Sequence, residues 1–449
     1  MKRPPTPPDA QAILKNLARD NPEKVIRILT NPGGGPADTY LPWDKIRFKT
    51  PPDSLTHEEW WAAIKFTRLQ MRRTLPLADV EGVPFTFALP DIVLKSLEEV
   101  NRDASGQIAA SEQVTNPATR DRYLINSLIE EAINSSQLEG ASTTRQVAKE
   151  MIRAGRLPRT RDERMIANNF SAMRMIGELR KEKLTSELIC EIHRVVTDGT
   201  LDNPESSGRF QLPSEDRVSV FADTGVLLHT PPPAEMLPER VDRLCAFANA
   251  ELDDSYIPPV LRAITIHFMI GYDHPFEDGN GRTARALFYW SMLNQGYWLT
   301  EYVAISSILK NAPARYARSY LYTEDDENDL TYFHMYQLSV LQRSIVQLHD
   351  YLASKTQEVR ELQRKISGAV DFNHRQIALL SYTMKHPEAS VTAQSHMSSH
   401  NVVYETARQD LIGLERRGLL DKRRSGKAYV WTPVADLESR IHNLDTGDQ

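Results

Sequence analysis

The chain has little cysteine: its 449 residues include only Cys190 and Cys245. The two are far apart, and neither stands at a spacing typical of metal ligands, which argues against a disulfide framework or a cysteine-ligated metal site. Both lie in apolar runs that are typical of helices. We therefore expect buried thiols that pack as small hydrophobic side chains in a reducing compartment.

Long apolar runs and a strong excess of one charge are also lacking. No stretch approaches the roughly 20 apolar residues of a membrane span, and prolines in MKRPPTPPDA occupy the place of a signal peptide's apolar region. These features predict a cytosolic protein. The formal net charge of -6 argues against a chain that coats nucleic acid along its length, but it leaves room for one local basic module.

Hydrophobic residues make up 41% of the chain, enough for two or three domains. Residues 1–90 combine Pro- and Gly-rich patches with helix-like stretches at 10–29 and 57–75, which predicts an N-terminal helical arm. The pattern of residues 91–350 is almost wholly helical, so the fold class is predicted to be mainly α. Apolar residues recur there every three or four positions in 122–138, 163–180, 184–197, 235–251 and 259–273.

One interval breaks the helical pattern. Val218-Ser219-Val220 and Val226-Leu227-Leu228 are separated by Asp223-Thr224-Gly225, and a triple proline follows at 231–233. Two short β-branched runs around a Gly-containing turn predict a β-hairpin, over about 214–230.

The last part of the chain changes character. A helical pattern from Leu330 to about Ile366 is predicted to link two domains, with residues 351–369 as the end of this linker helix. Residues 370–435 then show helix, short strand, two helices and a strand–turn–strand. That order resembles a winged helix, a small α+β domain.

The segment from His274 to Arg285 reads HPFEDGNGRTAR and lies between two apolar helical patterns. It is therefore predicted to be a loop that leads into a helix N-terminus. Gly279, Asn280 and Gly281 allow positive φ angles and a close backbone approach to a ligand, and their N–H groups make an anion cradle.

The side chains of the same segment suit phosphoryl or nucleotidyl transfer. Arg282 and Arg285, three residues apart on the new helix, match a polyphosphate. Asp278 offers a hard oxygen ligand for Mg²⁺, which takes one or two carboxylates together with substrate phosphates. His274 titrates near neutrality and can accept the proton of an attacking hydroxyl.

The segment resembles the Fic motif, HPFx(D/E)GN(G/K)RxxR, without departure, and the wider likeness covers residues 91–350. The resemblance implies a Fic domain that transfers AMP from ATP to a Ser, Thr or Tyr hydroxyl of a protein, either itself or a target. It implies His274 as general base, Asp278 as Mg²⁺ ligand, Gly279 to Gly281 as anion hole and both arginines as ATP phosphate ligands. It further implies that the hairpin is a flap that aligns the target segment by strand pairing.

The resemblance also implies two sets of residues outside the motif. Tyr316 and Tyr320 stand where the family has part of its adenine pocket, although core aromatics spaced by four residues explain them equally well. Ser135-Ser136-Gln137-Leu138-Glu139-Gly140 resembles the Fic inhibitory motif, (S/T)xxxE(G/N), on an inhibitory helix at about 122–140. By family analogy Glu139 pairs with Arg285 and keeps ATP in an unproductive pose. The same glutamate serves in some relatives to remove AMP, and the sequence does not decide between these roles.

Basic residues outnumber acidic ones in the predicted winged helix. If it binds DNA, residues 404–417 would enter the major groove and 422–427 would form the wing. The equal alternative is a protein-binding or dimer-packing module. The candidate nucleic-acid contacts are Arg408, Arg416, Arg417, Arg423, Arg424 and Lys427.

Three functions therefore stay open at the level of sequence. The first is an autoinhibited AMP transferase. The second is another Fic chemistry, since relatives transfer UMP or phosphocholine, or phosphorylate. The third is a winged-helix DNA-binding regulator whose Fic core senses nucleotide. A homodimer is expected from the family resemblance alone.

Overall fold

The structure is a computed structural model that describes residues 2–30, 40–52, 55–105, 117–222, 224–252, 255–365, 372–425 and 428–443. The chain forms two compact units. The first unit comprises Met1–Ser105, Ser171–Thr300 and Ile308–Arg343, and the second comprises Gly106–Phe170, Glu301–Ser307 and Ser344–Gln449. The predicted mainly helical fold with small β-hairpins is confirmed.

The N-terminal arm begins the first unit with four helices: α1 (Ala10–Asp20), α2 (Pro22–Thr30), α3 (Trp43–Ile46) and α4 (His57–Met71). The helix-like stretch at 10–29 is two helices rather than one. Asn21 leaves the helical conformation, with φ -152° and ψ 76°, and the next helix begins at Pro22. Proline is suited to the first position of a helix because its missing N–H would be unpaired there in any case.

The arm also contains a β-hairpin that the helical interpretation missed. Strand β1 (Arg73–Ala78) pairs antiparallel with β2 (Pro84–Phe87), so the helix predicted to reach residue 75 ends at Met71. Leu75 and Leu77 are buried while their neighbours along the strand are more exposed. This alternation has the period of a strand, and Pro76 cannot donate to a helical ladder.

Two helices form the centre of the first unit, α11 (Pro259–Asp273) and α12 (Asn280–Asn294), which pack against each other. Almost every side chain of both is buried, which explains why their apolar residues are not confined to one stripe. Helices α9 (Ser186–Thr197) and α10 (Leu237–Ala248) pack beside them. The first unit also contains α5 (Asp91–Ser105), α14 (Pro313–Asp325) and the first part of α15 (Thr331–Lys365).

The flap hairpin is shorter than predicted. Strand β3 (Val220–Phe221) pairs antiparallel with β4 (Leu227–His229), each displaced toward the C-terminus from the predicted runs. A register shift between Val220 and Phe221 interrupts the ladder, which limits its length. Asp223, predicted in the turn, lies outside the described residues.

The second unit contains α6 (Pro117–Leu138), α7 (Arg145–Ala154), the first part of α8 (Arg161–Glu178) and α13 (Ile305–Asn311), which extends into the first unit. Their shared core includes Ile129, Ile133, Met151 and Ile166. The buried carboxylate of Glu131 accepts hydrogen bonds from the backbone N–H and the hydroxyl of Ser306.

The second unit also contains the end of α15, from Ser344, and a C-terminal module, residues 372–443. Its elements are α16 (His374–Lys385), α17 (Ala393–His400), α18 (Tyr404–Arg416), β5 (Leu420–Ser425), β6 (Ala428–Pro433) and α19 (Leu437–Asn443). The strand predicted at 390–392 is a single bridge between Val391 and Trp431. Helix α17 packs against α6 and α7. Short 3₁₀ helices occur at Pro204–Ser206, Ala234–Met236 and Trp298–Tyr302.

Across the described residues, we find no helix with both the length and the apolar character needed to cross a membrane.

Candidate active site

The segment predicted to carry chemistry is a sharp loop between α11 and α12. Helix α11 ends at Asp273, and His274 follows in the left-handed region with φ 45° and ψ 53°. Gly279, with φ 85°, precedes the first residue of α12. A non-glycine residue in the left-handed region is uncommon and is retained only where the surroundings enforce it. The loop therefore holds His274 in one defined position.

One contact of His274 bears on which of its ring nitrogens can act as a base. Its Nδ1 lies 3.4 Å from the carbonyl oxygen of Gly271. A carbonyl only accepts, so this contact requires a proton on Nδ1. A neutral ring in this tautomer has its lone pair on Nε2, an atom that can take a proton from a hydroxyl.

Asn280 closes the loop with its side chain. Its Oδ1 accepts from the N–H of Phe276 at 2.9 Å, and its Nδ2 donates to the carbonyl oxygen of Phe276 at 2.7 Å. The anion cradle stays a prediction; it would use the backbone at the start of α12, where the first N–H groups of a helix have no intrahelical partner. The amide of Asn280 stabilises the turn that aims them.

Gly279 is required at its position for two reasons. Its φ of 85° is costly for other residues, and a Cβ there would lie 2.7 Å from Cγ2 of Thr197 on α9. The loop consequently lies directly on α9.

Asp278 is the exposed carboxylate of the loop, with 48% of its side chain accessible. Its Oδ1 accepts from the N–H of Gly279 at 2.5 Å, and its Oδ2 lies 3.6 Å from Nη2 of Arg282. No group of three or more metal-ligating side chains occurs among the described residues. An accessible carboxylate at the N-terminus of a helix fits Mg²⁺, since this ion takes most of its remaining ligands from phosphates and water.

The two arginines of the motif are both buried, each with 1% of its surface exposed. Nη1 of Arg282 donates to the carbonyl oxygen of Val196 at 2.8 Å, which ties α12 to α9. Arg285 lies near fully buried His267, and burial, together with the charge of Arg285, lowers the pKa of His267 to about 3. The structure therefore places His274, Asp278, the backbone predicted to form the anion cradle and both arginines on one loop and the first two turns of α12.

A histidine on α9, which the sequence analysis did not single out, packs against this loop and forms a hydrogen bond with it. His193 of α9 is fully buried and stacks on Phe276, with ring centroids 3.7 Å apart and planes at 2°. Its Nε2 donates to the carbonyl oxygen of Asp278 at 2.9 Å, and its Nδ1 accepts from the N–H of Gly208 at 3.0 Å. Burial lowers its pKa to about 4, so it is neutral at pH 7. A lone histidine on an apolar helix face carries no sequence signal for this role.

A buried charge cluster fixes the other end of the loop. The carboxylate of Asp273 accepts from Arg240 at 2.7 Å, while Arg217 donates to the carbonyl oxygen of Asp273 at 2.7 Å. Burial raises the pKa of Asp273 despite both arginines. Residues 217 and 240 are far from 273 in sequence, so their pairing was not predictable from spacing.

His229 connects the flap to α11 and α14. Its Nε2 donates to the carbonyl oxygen of Tyr272 at 2.6 Å, and its Nδ1 lies 2.7 Å from Glu324. Burial acts to lower the pKa of His229, but the Glu324 carboxylate and the Tyr272 carbonyl together raise it above its ordinary value. The base of the hairpin is thereby anchored to α11 two residues before His274.

Tyr316 and Tyr320 lie in an aromatic cluster with α11. The hydroxyl of Tyr316 is 2.7 Å from Nε2 of His267, and the ring of Tyr320 stacks on Phe268 at 5.1 Å. Gly271 leaves space for Tyr320, since a Cβ there would be 2.4 Å from its hydroxyl oxygen. A packing role is observed for both tyrosines, and contact with adenine stays a prediction.

The residues of the predicted inhibitory motif belong to the second unit, whereas Arg285 belongs to the first. Ser135 is 1% exposed near the end of α6. Glu139 follows that helix at an exposed turn, and Gly140 has φ 94°. The ion pair between Glu139 and Arg285 stays a prediction.

The candidate nucleic-acid contacts of the C-terminal module have different environments. Arg423 and Arg424 are exposed on β5, and Arg416 is exposed at the end of α18. Arg408 donates to Glu405 at 2.9 Å, and the guanidinium of Arg417 lies 4.6 Å from the ring centre of Phe372. Lys427 lies outside the described residues.

Both predicted core cysteines are free thiols. Cys245 is buried and Cys190 half-buried. Burial raises the pKa of Cys190 to about 11 and that of Cys245 to about 12, so neither is a thiolate at neutral pH.

Comparison with known proteins places the site in a family context. Residues 183–292 match the model of the Fic/DOC family. Protein adenylyltransferase Fic of Nematostella vectensis is 30% identical over 118 residues, which cover 26% of this chain and 25% of that relative. The protein of the same name from Drosophila grimshawi is 29% identical over 206 residues, which cover 45% of this chain and 40% of the relative. The chain thus spans less than half the length of these curated relatives.

A solved structure shares the fold. The crystal structure of a Fic family protein from Desulfovibrio desulfuricans G20 aligns with 78% of this chain and 97% of its own, with a TM-score of 0.50 and 17% identity. At this identity the likeness extends to the fold alone.

Proposed function

We propose, from the premise that residues 183–292 are a Fic domain, that this protein transfers AMP from ATP to a hydroxyl of a protein. One observation carries the proposal: a histidine whose Nδ1 faces a backbone carbonyl oxygen shares a single loop with an accessible carboxylate and a helix N-terminus. Those groups are a base, a metal ligand and an anion cradle.

In the proposed reaction the target hydroxyl oxygen forms a bond to the α-phosphorus of ATP. The bond from that phosphorus to the pyrophosphate oxygen breaks, and the hydroxyl proton passes to Nε2 of His274. The N–H groups at the start of α12, with Arg282 and Arg285, hold the phosphates. Asp278 would hold Mg²⁺, which neutralises charge on the phosphates.

The flap supplies an edge on which the target segment can pair. Strand β3 is at the edge of a two-stranded sheet, with 60% of Phe221 exposed. An extended peptide adds to such an edge through main-chain hydrogen bonds. Because His229 anchors the neighbouring strand to α11, a segment paired there would be held close to the catalytic loop.

We also propose that Glu139 is an inhibitory residue that competes with the ATP γ-phosphate for Arg285. Arg285 is buried, and desolvated arginine interacts strongly with either a carboxylate or a phosphate. Removal of AMP from modified protein by the same glutamate is the alternative role. This regulation rests on the motif at 135–140.

The deciding experiment compares wild type with Glu139→Gly, using α-labelled ATP and Mg²⁺ and measuring label on protein. Glu139→Gly combined with His274→Ala is the negative control, and Glu81→Gly, at another exposed turn, is the matched control. Strong label in Glu139→Gly alone would support both the transferase and its inhibition. Equal label in wild type would retain the transferase and remove the inhibitory role.

No label in any variant would oppose AMP transfer. The same assay repeated with labelled UTP or a phosphocholine donor would then test the other Fic chemistries. Competition among unlabelled nucleotides measures donor preference directly.

A second candidate function is DNA binding by the C-terminal module, which we propose to be a winged helix. The exposed side chains of Lys422, Arg423 and Arg424 on its hairpin favour contact with phosphates. An electrophoretic mobility shift with genomic fragments tests this, comparing Arg423→Glu/Arg424→Glu with wild type over a salt series. Unchanged binding in that variant would favour the alternative, a module that contacts protein.

A further inference from the structure

A cavity outside the candidate active site lies within the first unit, on a different face of α14 from the one that carries Tyr316 and Tyr320. Its volume is about 680 Å³, within the range of small-molecule sites. The walls come from the arm before and within α3, from α5, and from the helices α14 and α15. None of the residues predicted to bind ATP lines it.

The side chains that line the cavity are mostly basic among the charged ones, although the formal net charge of the protein is -6. Four cations border the cavity, Lys45, Lys95, Arg315 and Arg318, against the single carboxylate of Glu99. That carboxylate accepts a hydrogen bond from Gln342 at 2.5 Å, and Lys45 lies 3.9 Å from its neighbour Asp44.

Lys95, Arg315 and Arg318 form no salt bridge with any residue that the structure describes, and Nε of Arg318 is buried without a hydrogen-bond partner. Buried donors in folded proteins are nearly always satisfied, and an orphan donor in a cavity wall points to a ligand acceptor. The arginines are three residues apart on α14 and so lie on one helix face.

Aromatic side chains accompany the cations. Tyr322 and Tyr336 line the cavity, both half-buried, and the charges of Arg318 and Arg315 act on their respective hydroxyls. Tyrosine rings next to guanidinium groups match a ligand that has a planar ring and an anionic group.

We propose that this cavity is a second ligand site, specific for a nucleoside monophosphate, with the phosphate held by Arg315, Arg318 and Lys95 and the base against Tyr322 and Tyr336. The ring of Tyr336 also packs in parallel on Tyr316, at 6.4 Å, and Tyr316 contacts His267 of the central helix α11. A ligand in the cavity would therefore contact Tyr336, which packs on a residue that contacts α11 of the candidate active site.

Isothermal titration calorimetry with AMP tests the proposal on the full chain. The cavity variants are Arg315→Glu/Arg318→Glu and Ser339→Trp, the second of which fills the space from an exposed wall position and leaves the charges unchanged. Lys15→Glu/Lys181→Glu, at two exposed lysines outside the cavity, is the matched charge control. Thermal melting checks that each variant is folded.

We expect one class of AMP sites to weaken at least tenfold in both cavity variants and to remain in the lysine control, since charge-assisted hydrogen bonds are the strongest polar contacts a protein makes. The same class should remain in Arg285→Ala, which separates it from the proposed ATP site. The calorimetry measures AMP binding alone, so this expectation holds even if the protein transfers no AMP.

AMP binding that is unchanged in both cavity variants would overturn the proposal. Inorganic phosphate and adenosine test the ligand class, and each should bind at least tenfold more weakly than AMP. Equal affinity for either of these probes would contradict the assignment of a nucleoside monophosphate.

Discussion

Replacing His193 by phenylalanine should slow AMP transfer without touching any atom that reacts. Phenylalanine preserves the ring stack on Phe276, at 3.7 Å, and approximates the volume of histidine. It removes the acceptor for the N–H of Gly208 and the donor to the carbonyl oxygen of Asp278. The substitution therefore isolates the two hydrogen bonds from the packing.

The magnitude follows from those two bonds. A partly buried backbone group that loses its partner costs about 1–3 kcal/mol. The part of the loop at Asp278 is accessible to water, which reduces that cost, so we expect a loss of about 2–4 kcal/mol of unfolding free energy in total. A displacement of the anion cradle by about 1 Å would lower kcat by about 10- to 100-fold.

The assay combines urea unfolding with initial rates of label transfer in the Glu139→Gly background. His193→Gln should recover part of the activity, because its amide N–H can still donate to the carbonyl oxygen of Asp278. The pH profile between 6 and 8 should be the same in all variants, since the pKa of His193, about 4, leaves the ring neutral throughout.

Two results would refute this reasoning. Wild-type rates and stability in His193→Phe would show that the hydrogen bonds do not position the loop. A pH profile that changes with the residue at 193 would show that His193 itself exchanges protons in the reaction.

Three further predictions concern groups around the loop. Gly279→Ala should slow transfer and lower the free energy of unfolding by about 2 kcal/mol or more, because the residue has φ 85° and the new Cβ would meet Thr197. Urea unfolding measures this loss of stability, and an unchanged midpoint would contradict the prediction. Arg240→Ala should destabilise the fold by about 3–5 kcal/mol, since it leaves the buried carboxylate of Asp273 without its main partner; Arg240→Lys, as a control, should lose less. His267 has a pKa of about 3 in the fold against an ordinary value of 6.5, so its contribution to stability is complete above pH 6.5 and is lost as the pH falls toward 3. The loss should reach about 2 kcal/mol at pH 5, and His267→Gln should be correspondingly less sensitive to acid in unfolding measured at pH 7 and pH 5.

The helices of the core could be predicted because their signals are local. The helix predicted over 259–273 has those bounds in the structure, and the one predicted from 184 begins at Ser186. A hydrophobic repeat of three to four residues reflects burial of one helix face, which a short window of sequence records. The N-terminal hairpin was missed because the strand β1 continues directly from a helix and has only Leu75 and Leu77 as its alternating signal.

The chemistry of the loop from His274 to Arg285 was also readable, since base, carboxylate, glycines and arginines stand within twelve consecutive residues. Their proximity needs no tertiary information. Glu139 is different, because its predicted partner is far away in the chain and only family analogy connects them.

The amino-acid sequence by itself determined the helical class, the loop and the identity of the groups that can react. Only the tertiary structure decided that Nδ1 of His274 faces the carbonyl oxygen of Gly271, that His193 holds Asp278, and that Arg315 and Arg318 share a cavity with residues of the arm. The physical reason is that these contacts join residues many positions apart, and no local periodicity records which distant groups will meet when the chain closes on itself.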